Sequence, residues 1–239
     1  RGQRLYKGRP RAFSGRAGTR IALRHPGRKG HAHMTPEAVI FDIGNVLIEW
    51  QPERFYDAEI GPERRRALFE TVDLHAMNDR VDRGENWRDM VYQTAEAHPD
   101  HADAIRLWHD RWIEMASPAI DRSVALLRAL RARGVPVFAL TNFGIESFAY
   151  AETQYDFLAE FDRRYVSGHM RVTKPAPEIY RMVEEDCGIA PGRLLFADDR
   201  PDNIEAAAAR GWQTHLFDGP EGWAARLVAE GLLTEVEAA

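Results

Sequence analysis

The chain has 239 residues, 44% of them hydrophobic, and a formal net charge of -5, figures that fit one large or two small globular domains. No apolar run approaches the roughly 20 residues that span a bilayer, and the single cysteine, Cys187, excludes an internal disulfide framework and a multi-cysteine metal site, so a cytoplasmic protein is expected. The charge is unevenly divided: residues 1–33 hold ten Lys or Arg and no acid, which leaves 22 basic against 37 acidic residues, a net of -15, for the rest, and an acidic body argues against nucleic-acid binding by the folded part.

The basic leader has six glycines and too few apolar residues for a core, so disorder is expected there. Its Arg-rich, acid-free composition admits a nucleic-acid tail or an organelle presequence. Met34 directly precedes TPEAVIFD, and the favoured reading is a mis-assigned start or an appended leader outside the fold. Residues 34–50 and 118–239 are then expected to form an α/β core, interrupted at 51–117.

Val39, Ile40 and Phe41 read as a strand buried on both faces, the pattern of a central parallel strand. Asp42 follows at its carboxyl end, the edge where open parallel sheets bind ligands; a strand-ending Asp that only caps a turn is the alternative. The next segment changes character. Glu53–Ile60, Pro62–Val72, Glu85–Ala97 and His101–Met115 carry apolar residues at helical spacing with no strand signal between them, which predicts an all-helical insertion.

The α/β pattern resumes with a helix over Asp121–Arg133, ended by Gly134. A strand at Val135–Leu140 runs into Thr141-Asn142, and a helix over 145–159 leads to a strand at Arg163–Val166 and a loop reaching Lys174. A helix at Pro177–Glu185 precedes a strand at Arg193–Ala197 that ends on Asp198-Asp199. A helix at Asp202–Arg210, a strand at Gln213–Phe217 and a helix around Trp223–Glu230 complete the chain. Repeated strand and helix units of this kind predict a Rossmann-like parallel sheet flanked by helices.

Asp42, Thr141-Asn142, Lys174 and Asp198-Asp199 can all reach one edge of that sheet. Carboxylates gathered there repel one another unless a cation lies between them, and oxygen ligands suit Mg²⁺. A hydroxyl, an amide and an ammonium beside such a metal form a cradle for a phosphoryl group.

Asp42-Ile43-Gly44-Asn45-Val46, Leu140-Thr141-Asn142, Lys174-Pro175 and Phe196-Ala197-Asp198-Asp199 resemble, in order, the four motifs of the haloacid dehalogenase superfamily. The insertion resembles the helical C1 cap of its subfamily I, and the resemblance covers residues 36–230. It implies Asp42 as nucleophile and Lys174 as the group that neutralises it. Thr141, Asn142 and Lys174 would hold phosphoryl oxygens. Mg²⁺ would be held by Asp42, the Gly44 carbonyl, Asp198 and Asp199, with Asn203 orienting the cluster and Asp202 an exposed helix cap. The implied partner is a small phosphomonoester, with no membrane and no nucleic acid, for a monomer or homodimer.

One position departs from the pattern: most phosphatases of the superfamily carry an acid/base Asp two residues after the nucleophile, where this chain has Gly44. His109 and His169 are candidates to replace it. The D-x-G-N variant resembles a branch that includes phosphatases of sugar phosphates such as α-glucose-1-phosphate, whose leaving group needs less help. A metal-independent 2-haloacid dehalogenase, which resembles D-x-Y-G-T at the first motif, and a non-catalytic phospholigand-binding module are the alternatives. Trp50, Arg54, Phe55, Arg83, Trp87, Trp108 and Trp112 are available to line a cap pocket, with Asn45 and Trp50 expected nearest the substrate. Gly61 and the crossings near Trp50 and Pro118 are expected hinges.

Overall fold

The computed structural model describes residues 34–239, so the disorder and origin expected for the leader lie outside the described residues. The described chain is one compact unit. It starts with β1 (Ala38–Phe41), all four residues buried. A tight turn follows, in which the N–H groups of Val46, Leu47 and Ile48 all donate to the Ile43 carbonyl at 3.3, 2.9 and 3.0 Å. Asn45 holds φ at 54°, a left-handed conformation that Asn tolerates better than most non-glycine residues.

A short strand, β2 (Ile48–Trp50), leads into six helices: α1 (Pro52–Ile60), α2 (Pro62–Thr71), α3 (Leu74–Asp82), α4 (Trp87–Ala97), α5 (Ala102–Asp110) and the one-turn α6 (Trp112–Met115). Proline opens α1 and α2, where its missing N–H costs nothing. The side chains of Asp73 and Asn86 cap α3 and α4 by accepting from Ala76 and Asp89, satisfying donors that a helix start leaves bare. The helix expected over His101–Met115 is broken at Arg111, whose φ of -128° is not helical. The helix α3 was not anticipated at all.

Strand β3 (Ala116–Ala119) returns the chain and pairs antiparallel with β2, Ile48 opposite Ala119 and Trp50 opposite Ala116. The two crossings expected as hinges are thus the strands of a two-stranded ribbon. Beyond it come α7 (Asp121–Ala132), β4 (Val137–Thr141), α8 (Ile145–Gln154), β5 (Arg163–Val166), the one-turn α9 (Ser167–Met170), α10 (Pro177–Cys187), β6 (Leu194–Asp198), α11 (Pro201–Ala209), β7 (Gln213–Leu216) and α12 (Pro220–Ala229).

Five strands form one parallel sheet in the order β5-β4-β1-β6-β7. The chain builds outward from β1 to β5, then crosses over β1 and continues on its other side with β6. The strand order therefore reverses between β1 and β6, which is where an open α/β sheet leaves a crevice at its carboxyl edge. Alternation along β1 sends Val39 and Phe41 to one apolar cluster and Ala38 and Ile40 to the other, as a strand covered on both faces requires. Phe41 meets Trp223 edge-on at 5.6 Å. Among the described residues no helix is long and apolar enough to cross a membrane.

Candidate active site

The switch point sets Asp42, just past β1, beside Asp198, the last residue of β6. Lys174 joins them: its Nζ lies 2.9 Å from Asp42 Oδ1 and 2.6 Å from Asp198 Oδ2. All three side chains are buried, a state that charges tolerate only when paired and hydrogen-bonded. Asn203, on the first turn of α11, donates to both Asp198 oxygens at 2.9 and 3.0 Å, and the Arg200 N–H adds a third bond at 2.8 Å. Asp202 is not the helix cap that was expected; it lies inside α11 and pairs with Arg200.

Asn142 is hydrogen-bonded to the backbone of Lys174. Its Oδ1 accepts from the Lys174 N–H at 2.8 Å and its Nδ2 donates to the Lys174 carbonyl at 2.9 Å. The amide thus holds the lysine's main chain with one of its two N–H groups and its oxygen, and the residue also lines the crevice at the sheet edge. Asn45 is a brace of the same kind: its Nδ2 donates to Asp199 Oδ2 at 3.0 Å while its Oδ1 accepts from the Trp50 N–H at 2.9 Å. The left-handed turn that holds Asn45 is what points one side chain at two elements.

Carboxylate oxygens of Asp42, Asp198 and Asp199 lie within 4.8 Å of one another, close enough to share a metal ion. Burial pushes the Asp42 carboxyl up to about 7, with Lys174 pulling it down and Asp198 pushing it further up. Asp199 is raised by burial, against the Asn45 bond. Burial by itself would lower the Lys174 ammonium, but Asp198 and Asp42 outweigh it and its pKa ends up raised. A lysine so placed stays charged throughout the neutral range.

These groups open into a cavity of about 360 Å³, also lined by Gly44, Asn45, Trp50 and Thr141. Its far wall is α3, which contributes His75, Asn78, Asp79 and Asp82. Of the aromatic residues expected to line a pocket, Trp50 and Trp112 do so. Trp108 is fully buried and donates from its indole to Asn78 at 3.0 Å; Phe55 and Trp87 are buried among the inserted helices. Arg54 faces Glu49 and the Ser117 carbonyl, and Arg83 is exposed. Neither His109 nor His169 lines the cavity: the His109 ring lies tilted against Trp87 at 4.4 Å and bonds Asp110, and His169 sits in α9.

A family model for haloacid dehalogenase-like hydrolases matches residues 36–211. The chain belongs to that family. Among curated relatives, a sesquiterpene phosphatase of Aspergillus oryzae is 23% identical over 201 residues, 77% of this chain and 91% of its own. Among solved structures, a HAD family enzyme of Bacteroides thetaiotaomicron superposes with a TM-score of 0.66 over 81% of this chain and 99% of that one, at 22% identity; its wild-type form has been crystallised with magnesium and inorganic phosphate. An L-2-haloacid dehalogenase of Xanthobacter autotrophicus, with chloropropionic acid covalently bound, matches with a TM-score of 0.53 over 85% of this chain and 86% of its own, at 17% identity. At such identities the structures share the fold with this HAD-like hydrolase.

The departure at Gly44 is not imposed by the backbone. Gly44 does not hold a left-handed φ, and a Cβ built on it would meet nothing within 4 Å. A Cβ therefore has room at this position of the hydrolase.

Proposed function

We propose that this hydrolase is a Mg²⁺-dependent phosphatase of small phosphomonoesters, sugar phosphates foremost, acting through an aspartyl-phosphate on Asp42. The observation that carries the reading is the buried Lys174 bound to Asp42 and Asp198 with a third carboxylate, Asp199, inside the same cluster. The donor set fits a hard cation: three carboxylates converge, and the buried Oδ1 of Asn203 has no hydrogen-bond partner among the described residues, an acceptor suited to metal-held water. Charge points the same way. Asp42, Glu49, Asp79 and Asp199 line the cavity against Lys174 and Arg200, a field that repels a phosphate dianion until a divalent cation offsets it.

In this reading Asp42, Asp199 and the Gly44 carbonyl hold Mg²⁺, with Asp198 behind them, and Asn203 and Asn45 fix the carboxylates. The ion supplies positive charge to the phosphoryl oxygens when bound. Lys174 and the Thr141 hydroxyl hold the phosphoryl group, and a neighbouring cation brings Asp42 down from about 7 to the carboxylate that a nucleophile must be. The alcohol portion faces Trp50 and Trp112 on one side and the acceptors of α3 on the other. Rings and acceptors suit a polyhydroxyl ring, and the acidic wall disfavours a second anionic group.

The test is phosphate release from a panel of sugar, nucleoside and terpenyl phosphates, with Mg²⁺ and with EDTA, beside Asp42→Asn. Metal-dependent release that is lost in the variant is expected. Halide release from 2-chloropropionate in EDTA, with no phosphate release, would establish a dehalogenase instead; silence in both assays would leave a binding module.

A further inference from the structure

We propose that Asp82, on the cap wall facing the crevice, is the acid/base of this reaction, protonating the departing oxygen and later activating water in place of the side chain absent at Gly44. The inference rests on the phosphatase reading above. Asp82 ends α3 and lines the same cavity as Asp42, Thr141 and Lys174, yet it is only 8% exposed.

Its position is fixed from two directions. Within α3, Asn78 Nδ2 donates to Asp82 Oδ2 at 3.0 Å; among the described residues this is the carboxyl group's one hydrogen-bond partner, which leaves Oδ1 uncommitted. From the core, Ser167 Oγ donates to the Asp82 carbonyl at 2.6 Å and accepts from the Phe143 N–H at 2.9 Å. One hydroxyl thus ties the end of α3 to the loop that follows Thr141. Just beyond, Gly84 holds φ at 94°, and a Cβ there would collide with the Gly168 carbonyl and the Arg171 side chain. Arg171 Nη1 also donates to the Gly84 carbonyl at 2.5 Å. The cap and core backbones meet so closely at this seam that Asp82 is held where the core requires it, as a catalytic group needs.

The other candidates on that wall are less suited. Asp79 is exposed, and the His75 side chain is 54% exposed and faces Glu53. Burial, helped by Asp79 on the same helix and Asp42 across the cavity, holds the Asp82 carboxyl up to about 7 against Asn78 and Arg83. That is the range in which one group can both give and take a proton near neutral pH.

The step balances. An Asp42 oxygen attacks phosphorus, the bond from phosphorus to the alcohol oxygen breaks with its electron pair on that oxygen, and the Asp82 proton moves onto it. The products are the alcohol, an aspartyl-phosphate and an Asp82 carboxylate. Water then attacks phosphorus while Asp82 takes its proton; the bond to Asp42 breaks, inorganic phosphate leaves, and both aspartates are restored.

The experiment is rapid-quench kinetics of the Mg²⁺-loaded wild type, Asp82→Asn and the control Asp79→Asn on two esters: sorbitol phosphate, whose alkoxide needs a proton, and dinitrophenyl phosphate, whose phenolate does not. For Asp82→Asn the first step with sorbitol phosphate should slow by about 10²- to 10⁴-fold, and with dinitrophenyl phosphate by less than about threefold. A burst of dinitrophenolate should then give way to slow turnover, because water activation is lost as well; the burst itself reports a folded protein. Asp79→Asn should affect both esters alike. Equal losses on both esters in Asp82→Asn, or an unchanged rate with sorbitol phosphate, would overturn the assignment while leaving the phosphatase standing. A wild type that releases phosphate from neither ester would overturn both.

Discussion

At the sheet edge, Asp42, Lys174 and Asp198 are buried and each is held by more than one bond. Across the cavity, α3 presents His75 and Asp79 to solvent and holds Asn78 and Asp82 by hydrogen bonds toward its end. The difference follows from what each wall has to do. The edge must hold charges in a geometry that would fly apart without mutual pairing. In the proposed phosphatase the α3 wall would admit an alcohol of particular shape and need rigidity only where a proton is passed.

The largest expected effect strikes the edge. Asp42→Asn is nearly isosteric and should lower turnover by about 10⁴-fold or more while the melting temperature stays close to wild type, because it removes the proposed nucleophile. Melting that collapses along with activity would make Asp42 a structural group. Lys174→Met leaves two buried carboxylates without their cation and should cost about 3–5 kcal/mol of stability, read by denaturant unfolding. A loss below about 1 kcal/mol, the figure for an exposed pair, would mean that the edge is no more tightly organised than the cap.

Smaller effects separate bracing from catalysis. Asn45→Ala removes the bond that orients Asp199 and should raise the Mg²⁺ concentration for half-maximal activity by about 10-fold, as loss of a group behind a metal ligand does. An unchanged requirement would take Asp199 out of the metal site.

The smallest effect has the opposite sign. A carboxyl whose folded pKa is raised stabilises the fold fully below its unfolded pKa, and that contribution is lost as pH rises through the folded value, here about 7 for Asp82. Asp82→Asn should therefore melt higher than wild type at pH 8, by about 2–6 °C, with the gap closing toward pH 5. A variant that melts lower at both pH values would show that Asp82 serves packing alone.

The two regions also differ in how far they could be read from sequence. The edge was legible because the chain states it locally: Val39-Ile40-Phe41 before Asp42, and Leu194 to Ala197 before Asp198, are apolar runs that end on carboxylates, and a parallel sheet brings such ends together. What each side chain does there was less legible. Asn142 sits beside Thr141 as the motif requires, but its amide grips Lys174 from 32 residues away, a pairing that no local pattern encodes. The helix α3 was missed because its polar face turns toward the cavity, leaving Leu74, Met77 and Val81 as too thin an apolar stripe to register. The ribbon of β2 and β3 escaped for a different reason: each strand is only three or four residues long and gains its partner from the far side of the cap.

The most direct test of the account is a single turnover in heavy-oxygen water, with the label traced in both the released product and the Asp42-containing peptide. If water attacks phosphorus in an aspartyl-phosphate, the label appears in inorganic phosphate and Asp42 stays unlabelled. Label found in the Asp42 carboxyl group would mean that water attacks an ester carbon, the outcome of displacement by a dehalogenase, and would contradict the account.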